Sequence, residues 1–453
     1  MDIDALVEGY RGKLVERLGK LVAIDSTESQ PLPGAPFGLG PRLALEAALA
    51  MMKEDGFKTV NLDNYIGYAE MGEGKQLIGI VGHLDVVPAR IGDGWLSDPF
   101  EMTEKDGVLY GRGVSDDKGA VVASMIAMNV VRDMGIPMEK RVRLIMGTNE
   151  ETGSRCLKHY VNREGSVDYG FTPDGEFPGV HGEKGMIAAI YRSKKTNIRD
   201  IKGGTAKNVV CRECSIVVDK CTFSKKKLED YFNNHNLEFS MEEECDTVRI
   251  TVIGAAAHAS TPEKGINAIS YLLNGLAEAG FQDPFVAFYM SHFGLSTDGA
   301  GVGAKCADEH GELTMNNATI RMEDGVIEGT IDIRFPVTMS SRQVIRLMGD
   351  RMEDDNGVIE IVHAVEPLFY PMDSPLVQSL LKAYQEVTGD FQSLPMTMGG
   401  GTYAKGIENT IAFGCAFPGK NYRIHDANEY VSVDELLLQV KIYVSAIKRL
   451  LSL

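Results

Sequence analysis

Two histidines and six acidic residues in this sequence are spaced so that they could hold divalent cations. His83 and Asp85 stand two residues apart in GHLDVVP, and Asp116 adjoins Asp117 in GVSDDKG. Glu150 and Glu151 follow in GTNEETG, Asp174 in FTPDGEFP, and His425 in YRIHDANEY. Taken singly, each has an ordinary reading. A histidine after a strand is a structural residue, and an Asp-Asp pair before a helix is a cap. Two glutamates make a solvated loop, and Pro-Asp-Gly is a turn. Their ordered recurrence at the ends of apolar runs points to chemistry instead. Two imidazoles and three carboxylates match the needs of two hard-to-borderline cations such as Zn²⁺ or Mn²⁺. Two cations about 3.5–4 Å apart need a bridging ligand, which a carboxylate supplies through its two oxygens. One further carboxylate is then left to act as a base. His83 and Asp85 leave a strand on the same side, so the carboxylate can orient the imidazole.

The elements that must position these residues read as follows. LIGIVG at 77–82 is a short apolar run bounded by glycine, the pattern of a buried parallel strand. Open α/β sheets place their chemistry beyond the carboxyl ends of such strands. Further strands are expected at 57–62, 66–71, within 141–151, within 167–175 and at 411–415. Helices are expected at 3–24, 42–55, 117–134, 374–389 and 433–451, with an irregular proline- and glycine-rich loop at 30–41. Apolar strands alternating with helices imply an α/β domain: a mostly parallel sheet with helices on both faces. From about 184 the pattern changes to alternating strands, with helices expected at 263–279 and 340–352 and strands at 326–336 and 358–367. That is an α+β insertion at 184–369 splitting a domain made of 1–183 and 370–453.

Composition bounds the partners. The 453 residues exceed one compact core, and 64 acidic against 46 basic residues give a net charge of −18. That balance disfavours nucleic acid and anionic membranes. No apolar stretch approaches the roughly 18 residues of a membrane span, and the N-terminal residues lack a secretory apolar core. Seven cysteines are an odd number for a disulfide framework, so reduced thiols in a cytoplasm are expected. Cys211-x-x-Cys214 has no second such pair and reads as strand thiols.

Seven motifs in this order carry a resemblance: GHLDVVP, LYGRGVSDDKG, GTNEETGS, FTPDGEFP, AAHASTPEKGINA, MGGGTYAK and FPGKNYRIHDANEYV. Together they resemble the co-catalytic metallopeptidase family of carboxypeptidase G, aminoacylase, succinyl-diaminopimelate desuccinylase and bacterial dipeptidases, over essentially the whole chain. GGGTYAK and RIHDANEYV are most similar to the dipeptidase V branch, the Xaa-His dipeptidase or carnosinase type. The resemblance implies a zinc-peptidase-like catalytic domain with a lid. It also implies a monomer whose enlarged lid replaces a dimer partner.

The resemblance further implies roles. His83 and Asp174 would bind one metal, Glu151 and His425 the other, and Asp116 would bridge, with a cis Asp116–Asp117 peptide. Asp85 would hydrogen-bond the far nitrogen of His83, and Glu150 would be the general base and acid. His258 would stabilise the oxyanion. Arg334 and the backbone of Gly400, Gly401 and Thr402 would hold the substrate carboxylate, with Asn208 as a further lid contact. Asp117 is expected to meet a free α-amino group. The expected cofactors are two divalent cations, Zn²⁺ first and Mn²⁺ or Co²⁺ as alternatives. The expected reaction is hydrolysis of dipeptides with a free N-terminus, Xaa-His included. The alternatives are an N-acyl amino acid deacylase or desuccinylase using the same chemistry, and a non-catalytic metal- or peptide-binding descendant.

Overall fold

The computed structural model describes residues 2–453. The chain forms two compact units. One comprises 1–182, 370–397 and 401–453, and the other 183–369 with 398–400.

The first unit is built on six central strands: β1 (Lys58–Leu62), β2 (Ile66–Met71), β3 (Leu77–His83), β4 (Arg141–Gly147), β5 (Tyr169–Thr172) and β6 (Thr410–Ala412). Their spatial order is β1-β2-β4-β3-β5-β6. The four strands from β4 to β6 pair in parallel, and β1 and β2 add an antiparallel edge. All seven residues of β3 are buried, as a strand covered on both faces requires. Side chains alternate between those faces. Ile78 and Ile80 enter one apolar cluster and Leu77 and Val81 another. The first cluster lies under the helices Lys118–Asp133 and Val433–Leu451, and the second under Arg155–Glu164. At Gly82 a Cβ would stand 2.6 Å from Val121 and 2.8 Å from the Asp117 carboxylate, so only glycine lets that helix start against the strand tip.

The second unit is built on a nine-stranded antiparallel sheet in the order Glu238–Glu244, Thr247–Ile253, Glu213–Asp219, Asp200–Gly203, Thr314–Glu323, Val326–Phe335, Gly185–Ser193, Gly357–Val365 and Glu353–Asp354. Helices Lys225–Asn234, Ala268–Glu278, Pro284–His292 and Ser341–Met348 belong to it. Its apolar cluster includes Ile250, Leu272, Phe288 and Ile333. Cys211 and Cys214 are buried there, and burial pushes both thiols up, Cys211 to about 12. Such thiols are poor nucleophiles.

Several elements differ from the sequence expectation. The helix expected over 3–24 breaks at Gly9-Tyr10 into Ile3–Glu8 and Arg11–Val22. The helix expected from 263 begins at Ala268, where the Asn267 side chain caps it, after a single 3₁₀ turn at Pro262–Lys264. Arg155–Glu164, Lys225–Asn234 and Pro284–His292 were not anticipated. Lys225–Asn234 buries only Leu228 and Phe232, too little to register as periodicity. No helix among the described residues is long and apolar enough to cross a membrane.

Gly147 ends β4, and a Cβ there would lie 2.0 Å from the hydroxyl of Tyr403, a fully buried ring with no room to withdraw. Gly147→Ala is expected to cost about 1–3 kcal/mol by overpacking, read as a lower midpoint in chemical denaturation. An unchanged midpoint would show that the Tyr403 ring can move.

Candidate metal centre

His83 closes β3 opposite Gly147 of β4, and its side chain is 1% exposed. Its Nδ1 lies 2.9 Å from the backbone carbonyl of Asp85, an atom that can only accept. Nδ1 therefore keeps its proton, and Nε2, turned to the site, becomes the ligand atom once a cation displaces the proton it shares with Asp116. The sequence expectation gave that contact to the Asp85 carboxylate, which lies 3.6 Å away. The correction has a clear cause. Both Asp85 oxygens are taken by amides, Oδ1 by the N–H of Glu150 at 3.0 Å and Oδ2 by that of Glu151 at 3.1 Å. Asp85 thus fastens the turn that carries both glutamates to the tip of β3.

Around the two Nε2 atoms the acids gather. His83 Nε2 is 3.1 Å from Asp116 Oδ1 and 3.8 Å from Asp174 Oδ2. His425 Nε2 is 3.0 Å from Asp116 Oδ2 and 3.1 Å from Glu151 Oε1. Each oxygen of Asp116 therefore faces a different imidazole. Donor atoms of His83, Asp116 and Glu151 lie within 4.8 Å of one another, as do those of His83, Glu150 and Asp174. Two donors each about 2.0–2.1 Å from a tetrahedral ion stand about 3.3 Å apart, close to these separations. Nitrogen and carboxylate oxygen are also the ligand types that suit zinc and manganese. The donor set fits divalent cations.

The electrostatics agree. Burial acts to lower the His83 imidazole, but the neighbouring carboxylates of Asp116 and Asp85 outweigh it and raise it well above its ordinary value. His425 is likewise lifted to about 11, with Asp116 and Glu151 overcoming burial. Asp116 is held well below the usual carboxylate range, because His425 and His83 outweigh its burial. Burial, with the charge of Asp174 next, pushes the Glu150 carboxyl well up, and Glu151 rises through burial and Asp116. Positive charge is what this cluster is short of.

Asp117 needs a correction. The Asp116–Asp117 peptide is cis. The Asp117 side chain is fully enclosed, Oδ2 accepting from the His83 amide at 3.0 Å and Oδ1 finding no hydrogen-bond partner among the described residues. It braces the His83 backbone and is closed to a substrate amine. The ordinary reading of such a pair as a helix cap does not apply to it either, since its side chain bonds no amide of the helix it precedes.

In the second unit, His258 Nδ1 receives the Ser260 amide at 3.2 Å and lies 2.7 Å from the Ser260 hydroxyl. An Nδ1 that accepts leaves the proton on Nε2. The backbone of Asn208 accepts from Ala259 at 2.9 Å, so Asn208 and His258 lie on adjoining segments. The Arg334 fork holds Asp332, two residues away on the same strand face (2.6 and 2.8 Å), while Nη1 donates to the Gly399 carbonyl at 3.0 Å. Three of its five N–H donors are thereby used within the unit, leaving one on each of Nη1 and Nη2. Gly400 is partly exposed and Gly401 exposed. The Thr402 hydroxyl accepts from the Ala404 amide, which starts a short 3₁₀ turn.

Two residues to which the sequence assigned no part also serve this centre. Tyr403 sets its ring edge-on to His83, with centroids 6.2 Å apart. Glu429, four positions after His425, is fully buried against the segment that carries Asp116. Both lie within quoted motifs, MGGGTYAK and FPGKNYRIHDANEYV, but an aromatic ring and a further acid there have nothing in type or spacing that assigns them a part.

A family model described as Peptidase family M20/M25/M40 matches residues 79–449. The Bacillus subtilis protein named "Putative dipeptidase YtjP" is 35% identical over 433 residues, covering 92% of each chain. A Staphylococcus saprophyticus protein named in the same way is 32% identical over 464 residues, covering 98% of each. Among solved structures, human carnosine dipeptidase 1 aligns with a TM-score of 0.60 at 17% identity, covering 100% of this chain and 98% of that one. A tripeptidase from Staphylococcus aureus aligns at 0.58 and 15%, covering 98% and 99%. At such identities these structural likenesses establish the fold alone.

With both imidazole pKa values raised, the histidines hold their protons at neutral pH until a cation displaces them. Binding of Zn²⁺ or Mn²⁺ is therefore expected to release protons. Apparent affinity should rise with pH, by up to about tenfold per pH unit for each proton released. Calorimetric titration in buffers of different ionisation heat, on either side of neutrality, measures this. An affinity independent of both pH and buffer would contradict it.

Proposed function

From the premise that this chain belongs to peptidase family M20/M25/M40 and hydrolyses peptide bonds, we propose that it is a two-metal dipeptidase acting on substrates with a free N-terminus. The observation that carries the reading is Asp116, each of whose carboxylate oxygens meets a different imidazole. His83, Asp116 and Asp174 would hold one divalent cation, and His425, Asp116 and Glu151 the other, Zn²⁺ first with Mn²⁺ or Co²⁺ as alternatives. When bound, such a pair acidifies a shared water and polarises the scissile carbonyl.

The chain's own residues then divide the work. Glu150 takes the proton of the attacking water and returns it to the leaving amine. Its carboxyl is already raised by burial and by Asp174, which strengthens it as a proton acceptor. Asp85 aligns it by holding its amide. His258, in the tautomer with hydrogen on Nε2, is the donor proposed for the oxyanion. Asn208 and the backbone of Gly400, Gly401 and Thr402 are proposed as substrate contacts, on the resemblance of their motifs. Dipeptides ending in histidine are included among the substrates. A cytoplasmic monomer is proposed on the resemblance of the motifs.

Glu150→Gln is expected to lower kcat by about 10²–10⁴-fold while metal content stays at the parent level. Full activity in that variant would remove Glu150 as the base. Assay of Ala-Ala and of dipeptides ending in histidine, beside N-acetyl and N-succinyl amino acids, tests the substrate class. Turnover of the dipeptides supports the proposal, and turnover of the acylated amino acids alone would replace it with a deacylase.

A further inference from the structure

We infer that Glu429 is a positioning residue that locks together the two chain segments carrying Asp116 and His425, and so sets the affinity of the metal pair. This rests on the two-metal reading above. Glu429 is fully buried, and its carboxylate accepts four hydrogen bonds. Oε2 receives Arg112 Nη1 at 2.7 Å and the Gly113 amide at 3.1 Å, and Oε1 receives the amides of Ser115 at 2.8 Å and Asp116 at 3.0 Å. Two oxygens with about four lone-pair sites are thereby filled. Every donor belongs to 112–116, while the acceptor sits 313 positions further on in the segment of His425. Arg112 also donates to the Asp426 carbonyl at 3.2 Å.

The reason for so much anchoring lies in the backbone. Arg423, His425 and Asn428 have φ of 56°, 65° and 62°, the left-handed region that costs a side-chain-bearing residue about 1 kcal/mol or more. Such conformations persist only where the surroundings over-determine them. Glu429 ties one side of this segment. Asn428 ties the other through the Gly94 carbonyl at 3.0 Å and the Leu96 amide at 2.8 Å. Both ties follow His425 in the chain by three and four residues, and its ring is held against Asp116 and Glu151. With the carboxylate of Glu429 gone, the left-handed turn is free to relax, and the distance between the two ligand segments is no longer fixed.

Two variants test this. Glu429→Gln keeps the size but has one acceptor oxygen, and its amide group would face donors. Glu429→Asp keeps the charge for Arg112 but, one methylene shorter, cannot reach both sets of donors. Metal-free parent and variants are titrated with Zn²⁺ and with Co²⁺, and folding is followed by circular dichroism. Each folded variant should lose about 10–100-fold in affinity for the ion that His425 would bind, as expected when a partner behind a ligand is removed. Its cobalt absorption spectrum should change as well, a readout that a purely structural role would not move. Folded variants that bind two ions at parent affinity with the parent spectrum would overturn the inference, as would failure of both variants to fold. A parent that binds fewer than two ions would instead sink the two-metal reading, an outcome visible before any variant is made.

Discussion

Four carboxylates crowd around two imidazoles beside the ends of buried strands and the loops that reach them, and mutual repulsion among those acids is the constraint the rest of the structure answers to. Asp116, Glu150, Glu151 and Asp174 cannot all be ionised in an enclosed space without positive charge among them. The shifts of Asp116, Glu150 and Glu151 show how the cluster copes with protons alone. Asp116 keeps its charge by leaning on both histidines, while Glu150 and Glu151 are driven toward their neutral forms. A pair of divalent cations relieves the repulsion and uses every donor. The same crowding leaves Glu150 with the strong proton affinity that a base requires.

Holding like charges together needs rigid mounts, and the chain supplies them one by one. The β3 tip carries His83, fixed from below by the Asp117 carboxylate on its amide and from the side by the Asp85 carbonyl on its ring. The turn after β4 carries the two glutamates, fixed by the Asp85 side chain. The late segment carries His425, fixed by Glu429 and Asn428. In each case an acid that does not face the cluster accepts backbone amides from a segment that does. The acids near this site therefore fall into two groups, those that would bind cations and those that spend their charge on amides.

That division explains what could be read from the sequence. His83, Glu151 and Asp174 were legible because they follow short apolar runs whose ends a parallel sheet brings to one edge, whereas Asp116 and His425 lie in loops and were legible through their motifs. The motifs then matched a family over most of the chain. Which acid does which job was less legible. Asp85, Asp117 and Glu429 carry the same functional group as Asp116 and Asp174, and only burial and amide contacts separate them. The pairing of Arg334 with Asp332 was not foreseen, because two residues on the same face of one strand are a relation that alternation permits but does not require. The break at Gly9-Tyr10 and the helix Lys225–Asn234 were missed for a different reason. Their local periodicity is too weak to outweigh tertiary packing.

The central claim is that Asp116 stands between two cations. Anomalous diffraction from crystals grown with Zn²⁺ or Mn²⁺ tests it most directly. The account predicts two ions, each bound to a different oxygen of Asp116, one beside the Nε2 of His83 and the other beside the Nε2 of His425. A single ion bound to one imidazole alone, or two ions with Asp116 bound to only one of them, would contradict it.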